Sequence, residues 1–201
     1  MRKRHSRHSR LSGVSNLVGA FVLLTLPFMV AGSANSIKPE THCVASVGTI
    51  ADSSASAGTC YLTFAEAIAV ATDGRVHLAN ASRSRAVSAA ELAPAVGGGA
   101  VVPNTTVVIG IDYMDPNFQG STLTWTAPAA CGNYQTSSEP AGWDNKISSV
   151  AAFSNCATTL HDGANFGNPA FLVTVNGSAG SLGTFNDKTS SEKWCAVYPC
   201  G

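Results

Sequence analysis

Two copies of one six-residue pattern stand in the C-terminal half of the chain: Asp144-Asn145-Lys146-Ile147-Ser148-Ser149 and Asn186-Asp187-Lys188-Thr189-Ser190-Ser191. Each reads Asn/Asp, Asn/Asp, any, any, Ser/Thr, Ser, and the second begins 42 residues after the first (186 − 144). Such a pattern gathers side-chain oxygens at a turn and continues into a β-prone run. An all-oxygen donor set of carboxylate, amide and hydroxyl groups suits a hard cation such as calcium, and it needs no His or Cys. One Asn-Asp pair can form an Asx turn unaided, and Ser-Ser can simply open a strand. Repetition at a fixed interval turns a common turn into an architectural signal.

Other chemistries lack their residues. The chain has no Gly-x-Ser-x-Gly elbow, no His-Glu-x-x-His helix and no glycine-rich loop ahead of a Lys-Ser/Thr. Asp115 and Asp162 fall in matching turns, so they read as solvated turn residues rather than a glycosidase pair. Trp125, Trp143 and Trp194 read as core or rim residues rather than a sugar platform. No catalytic residue is assigned, and the reading is non-enzymatic.

The N-terminal end predicts export. Met1 to Arg10 carries five basic residues, an apolar run follows over about 17–31, and Gly32-Ser33-Ala34 supplies small residues. That is the layout of a secretory signal peptide over 1–34, and Pro27 interrupts a run already short for a membrane span. Cleavage would leave a secreted, extracellular protein with no membrane segment. The whole chain balances 12 basic against 12 acidic residues, so losing five basic ones leaves the remainder acidic. No basic patch interleaved with aromatics survives, which argues against nucleic acid. All six cysteines lie beyond the leader, at 43, 60, 131, 156, 195 and 200. In an exported protein they read as disulfides, with fifteen connectivities open. Sequence proximity makes Cys43–Cys60, Cys131–Cys156 and Cys195–Cys200 the simplest set.

The elements that must position the oxygens lie late in the chain. Residues 35–60 are rich in Ser, Ala, Gly and Thr and read as a mobile lead-in. A helix over 63–73 follows, with Thr63 and Glu66 as a capping box, Phe64, Ala67, Ile68 and Ala71 on one face, and Gly74 after its end. Its apolar face is small and must lean on something else. A brief strand over Arg75 to Leu78 and a weak helix over Ser82 to Val96 come next, and Gly97-Gly98-Gly99 marks a boundary within a 35–100 segment. Over 101–201 the texture is short β-type runs separated by turns: Thr105–Tyr113, Ser121–Thr126, Ile147–Phe153, Ala157–His161, Ala170–Val175, and a last one near Trp194–Val197. That predicts an all-β antiparallel sandwich of Greek keys.

Ahead of the first clamp comes Tyr113-Met114-Asp115-Pro116-Asn117-Phe118-Gln119-Gly120. An aromatic, four residues, Phe, any residue and Gly is the folded hairpin of a βγ-crystallin Greek key. The matching stretch ahead of the second clamp is His161-Asp162-Gly163-Ala164-Asn165-Phe166-Gly167-Asn168. On these motifs, residues of about 104–198 resemble a microbial βγ-crystallin domain of two Greek keys. Gly120 is expected at a positive φ that a Cβ would oppose, with Asn168 as its tolerated substitute. His161 is expected to lose the packing of the aromatic it replaces. The resemblance implies calcium held between a hairpin and the clamps of both motifs. Its ligands would be the backbone carbonyls of Pro116 and Ala164, the side chains of Asn145 and Asp187, and the carbonyls of Lys146 and Lys188. The hydroxyls of Ser148 and Ser190 would each reach the partner motif's site. Asp144 and Asn186 would shape the turns or reach the ion through water.

Such a protein would be a monomer whose partners are calcium ions. The chain also resembles bacterial peptidase inhibitors built on the same fold, which would make an extracellular protease, a metalloprotease among others, a partner. The loop Ala127–Gly142, with Pro128, Cys131, Tyr134 and Pro140, is the expected reactive segment. A toxin or adhesin on the same scaffold is a third reading, with no feature of its own.

Overall fold

A computed structural model describes residues 39–48, 55, 58–93 and 106–200, all within one unit, Lys38–Gly201. The leader at 1–34 and the glycines at 97–99 lie outside the described residues. In chain order the elements are β1 (His42–Ser46), β2 (Thr59–Tyr61), α1 (Phe64–Ala71), α2 (Ala89–Leu92), β3 (Val107–Asp115), β4 (Gln119–Ala127) and β5 (Tyr134–Thr136). Then come β6 (Ser149–Ala152), β7 (Ala157–Asp162), β8 (Ala170–Val173), β9 (Ser178–Ala179), a 3-10 turn at Gly183–Phe185, and β10 (Thr189–Cys195).

The strands form two sheets, one in the order β2-β1-β4-β3-β6-β9 and the other β5-β10-β7-β8. From β3 onward the pattern has internal symmetry. β3 to β6 make one Greek key and β7 to β10 the next. Each key places its third strand, β5 or β9, at the edge of the other key's sheet. The fold is the all-β, βγ-crystallin-like two-Greek-key sandwich, and the strand exchange ties the two keys into one body.

Between the sheets lies the main core, with Trp125 and Trp194 packed at 5.0 Å between ring centroids and Trp143, Leu123, Ile109 and Leu160 around them. All three tryptophans are buried. A second core covers the outer face of the first sheet: Phe64, Ile68 and Ala71 of α1, with Val76, Leu78 and Val87, lie on Ile111, Tyr113 and Phe153. Thr63 caps α1 through a hydrogen bond to its oxygen from the Glu66 amide, and Gly74 follows at φ +73°. The small apolar face of α1 therefore leans on the sheet.

His42–Ser46 and Thr59–Tyr61, expected within a lead-in, are strands of the first sheet. β1 runs parallel to β4 and pairs antiparallel with β2, and Cys43–Cys60 joins the two. Neighbouring strand edges, not a local pattern, set the conformation of β1. Arg75 to Leu78 is irregular; its Val76 and Leu78 are buried without ladder bonds. Of the helix expected over 82–96, the described part, 82–93, is helical only at α2, opened by a complete Ser88–Glu91 capping box. The last strand starts earlier than expected, inside the second clamp. The other two disulfides are Cys131–Cys156 and Cys195–Cys200, the pairs that sequence proximity selects.

Candidate metal centre

At β3–β4, Asn117 and Phe118 take positive φ (60° and 63°), and at β7–β8, Asn165 and Phe166 do the same (55° and 63°). The sixth clamp residue pins each fold. Ser149 Oγ donates to the Asp115 carbonyl (2.7 Å) and accepts from Phe118 N (3.0 Å). Ser191 Oγ donates to the Gly163 carbonyl (2.9 Å) and accepts from Phe166 N (3.0 Å).

Gly120 sits at φ +78°, and a Cβ there would lie 2.5 Å from Asp115 Oδ2. The equivalence proposed for Asn168 fails: it is not at positive φ, because the proline after it disfavours helical backbone and draws it to extended conformations. The space-demanding glycine of the second hairpin is Gly167, whose added Cβ would strike the Asp162 carbonyl. His161 also departs from expectation. It packs edge-on to Phe166 at 5.6 Å and 74°, as Tyr113 packs on Phe118 at 5.5 Å and 76°. An imidazole supplies the flat edge that the hairpin uses, and its Nδ1 lies 3.1 Å from the Gly167 carbonyl.

The clamps face one another across the two keys. Asn145 and Asp187 both sit at positive φ, 56° and 55°. Asn145 N donates to the Thr189 carbonyl (2.9 Å) and Asp187 N to the Ile147 carbonyl (3.0 Å), so each clamp's turn is hydrogen-bonded to the other clamp. The side chains repeat the exchange. Ser148 Oγ donates to Asp187 Oδ1 at 3.3 Å, and Ser190 Oγ to Asn145 Oδ1 at 3.5 Å.

The first clamp residues orient the second. Asn145 Nδ2 donates to Asp144 Oδ2 (3.1 Å), which leaves Asn145 Oδ1 toward Ser190. Asn186 Nδ2 donates to Asp187 Oδ2 (2.7 Å), which leaves Asp187 Oδ1 toward Ser148. Ser148 and Ser190 are buried, whereas Asp144, Asn145 and Asp187 are exposed, as are Lys146, Lys188, Pro116 and Ala164, whose carbonyls were the expected backbone donors. Ser149, next to Ser148, thus ties the first hairpin to the first clamp through the Asp115 carbonyl and the Phe118 amide. Ser191, next to Ser190, ties the second hairpin to the second clamp through the Gly163 carbonyl and the Phe166 amide.

A second acidic feature went unread in the sequence. Asp112 of β3, Glu139 after β5 and Glu192 of β10 bring one carboxylate oxygen each within 4.8 Å of one another, and all three are buried. Burial pushes Asp112 up to about 7, opposed by hydrogen bonds with Trp125 and Glu192. Burial, then the nearby Asp112 charge, pushes Glu139 and Glu192 well above the usual carboxylate range. Only Asp112 carries a local signal, a carboxylate inside the apolar β run Ile111-Asp112-Tyr113; Glu139 and Glu192 follow the polar Ser137-Ser138 and Ser190-Ser191 and carry none.

The segment 127–142 is not a free loop. Its centre is β5, paired with β10, and Tyr134, Thr136 and Glu139 are buried. Only 128–130, 132–133, 138 and 141–142 are exposed.

No protein-family model and no curated protein matches the chain. Among solved structures, it is similar to the N-terminal domain of protein S (24% identity, 44% of this chain and 97% of that one, TM-score 0.36). It is also similar to a βγ-crystallin domain from Flavobacterium johnsoniae (22% identity, 46% and 99%, TM-score 0.32) and to a βγ-crystallin from an archaeon (18%, 43% and 95%, TM-score 0.34). The fold assignment rests on the strand exchange described above rather than on these scores.

Proposed function

We propose that the chain is a secreted, non-enzymatic, calcium-binding member of the microbial βγ-crystallin group, with two clamp-type sites. The observation that carries this is the reciprocal approach of Ser148 to Asp187 and of Ser190 to Asn145, at 3.3 and 3.5 Å. Two oxygens on neighbouring positions around one calcium ion, each at about 2.4 Å, stand roughly 3–3.5 Å apart. Each pair thus has the spacing of adjacent ligands, with one oxygen drawn from each key.

One site would combine Asp187, Ser148, the Lys188 carbonyl and the Pro116 carbonyl. The other would combine Asn145, Ser190, the Lys146 carbonyl and the Ala164 carbonyl. Only the first contains a carboxylate among these ligands, so affinity belongs at the weak extracellular end, ~10⁻⁵ to 10⁻³ M, and the Asn145 site should be the weaker. The role proposed for the ion is stabilisation: at tenfold excess over Kd, binding adds ~1.4 kcal/mol per site. Three disulfides among the described residues support an oxidising destination. The inhibitor reading gains nothing from 127–142, whose centre is committed to a sheet.

Isothermal titration of the chelator-stripped protein should show two equivalents of calcium. Its melting temperature should rise in millimolar calcium relative to chelator. Coincident melting curves and a flat titration would remove calcium from the account.

A further inference from the structure

The interior carboxylates belong to neither clamp, and the packing gives them too few partners. Asp112 Oδ2 accepts from Trp125 Nε1, and Glu192 Oε2 accepts from Thr158 Oγ1 at 3.4 Å. Asp112 Oδ1, Glu192 Oε1 and both oxygens of Glu139 are buried and accept from no donor group among the described residues, and Asp112 and Glu192 can bond each other only through a shared proton. Glu139 is the independent pointer: its side chain is more than nine-tenths buried, neither oxygen is satisfied, and one lies within 4.8 Å of the Asp112–Glu192 pair.

Buried acids normally find donors, and like charges this close resist ionising together. The charge has two remedies, protons or a cation. Protons would neutralise the charge and could link Asp112 to Glu192, but a carboxyl carries one hydrogen for its two oxygens. A cation answers charge and lone pairs together, since every orphan atom is a hard oxygen donor.

We propose that Asp112, Glu139 and Glu192 form an interior site for one oxygen-preferring divalent cation, of the calcium or manganese kind, separate from the clamps. Asp112 comes from one sheet and Glu192 from the other, so the ion cross-links the sandwich at its centre. The Trp125 and Thr158 donors offset the negative charge that three carboxylates and one divalent ion leave over. Because the site is closed, the ion enters as the sheets come together, and exchange is slow compared with the exposed clamps.

The test uses the full chain carrying Ser148→Ala, Ser190→Ala and Asp187→Asn, which removes the clamps and makes the result independent of the calcium proposal above. The chain is unfolded with its disulfides intact, refolded in manganese, passed through chelator and analysed for metal. About one equivalent should remain bound, and adding Glu192→Gln should abolish it. Glu139→Gln, at the edge of the cluster, serves if the first variant does not fold, and should lower retention at least tenfold. Absence of retained manganese after refolding overturns the proposal, as does equal retention in the glutamine variants.

Discussion

His161 shows how a residue that breaks a motif can still satisfy its physics. The hairpin needs a flat edge against Phe166, and the imidazole provides it at the same distance and tilt as Tyr113 in the first key. The substitution places an imidazole, which titrates near neutral pH, where the first key has a phenol that does not. Burial lowers the His161 pKa, the Gly167 carbonyl opposes that, and the Lys193 charge adds to it. His161 Nε2 is buried without a partner, so a second ring proton would have no acceptor. The folded protein thus holds fewer protons here than the unfolded chain, whose His titrates near 6.5. This contribution to stability is present above ~6.5 and lost as pH falls through the folded value. Buried His42, also lowered mainly by burial, acts in the same direction. His161→Phe should therefore flatten part of the acid limb, read as the change in denaturant midpoint between about pH 7.5 and pH 5. An unchanged limb would show that the ring is not the sensor.

At the scale of elements, each hairpin is held by one serine that serves a carbonyl and an amide. Ser191 has no exposure, so Ser191→Ala leaves the Phe166 amide and the Gly163 carbonyl short of a partner. The expected cost is ~1–3 kcal/mol by denaturant unfolding, with weaker calcium binding because Ala164 is released. A loss under ~0.5 kcal/mol would deny the serine this role. The first hairpin and the turns of both six-residue patterns were legible in the sequence because their geometry is local: a positive φ, a glycine, a serine at a fixed offset. Two short strands were not, although β8, at an edge of the second sheet, was. β1 and β5 are short, carry no alternation of their own and owe their conformation to β4 and β10. β3 and β4 are buried on both faces for most of their length, so their apolar runs gave existence but not register. The bulges that reset the β3–β4 pairing at Val108/Gly110 and Tyr113/Asp115 have no periodic signature.

For the whole molecule, the governing feature is exchange between the two keys. Strands β5 and β9 cross to the opposite sheets, the clamp amides bond to each other's carbonyls, and the clamp hydroxyls reach each other's Asx side chains. The pairing of Ser148 with Asp187 follows from the family resemblance of the sequence, since a hydroxyl serving the partner motif is implied by it. The trio Asp112, Glu139 and Glu192 was out of reach, because its members lie in three elements from two sheets and share no spacing. Likewise, the N-terminal strands and α1 complete the first sheet and cover its outer face, a tertiary arrangement that a composition shift near residue 100 does not disclose.

A double-mutant cycle in calcium affinity tests the exchange most directly, with Ser148→Ala, Asp187→Asn, Asn145→Ala and the two pairs that include Ser148 titrated side by side. The account predicts strong coupling between Ser148 and Asp187, so that the second substitution adds little once the first has removed the site, and additive effects for Ser148 with Asn145. Coupling of Ser148 to Asn145 of its own clamp, with none to Asp187, would contradict it.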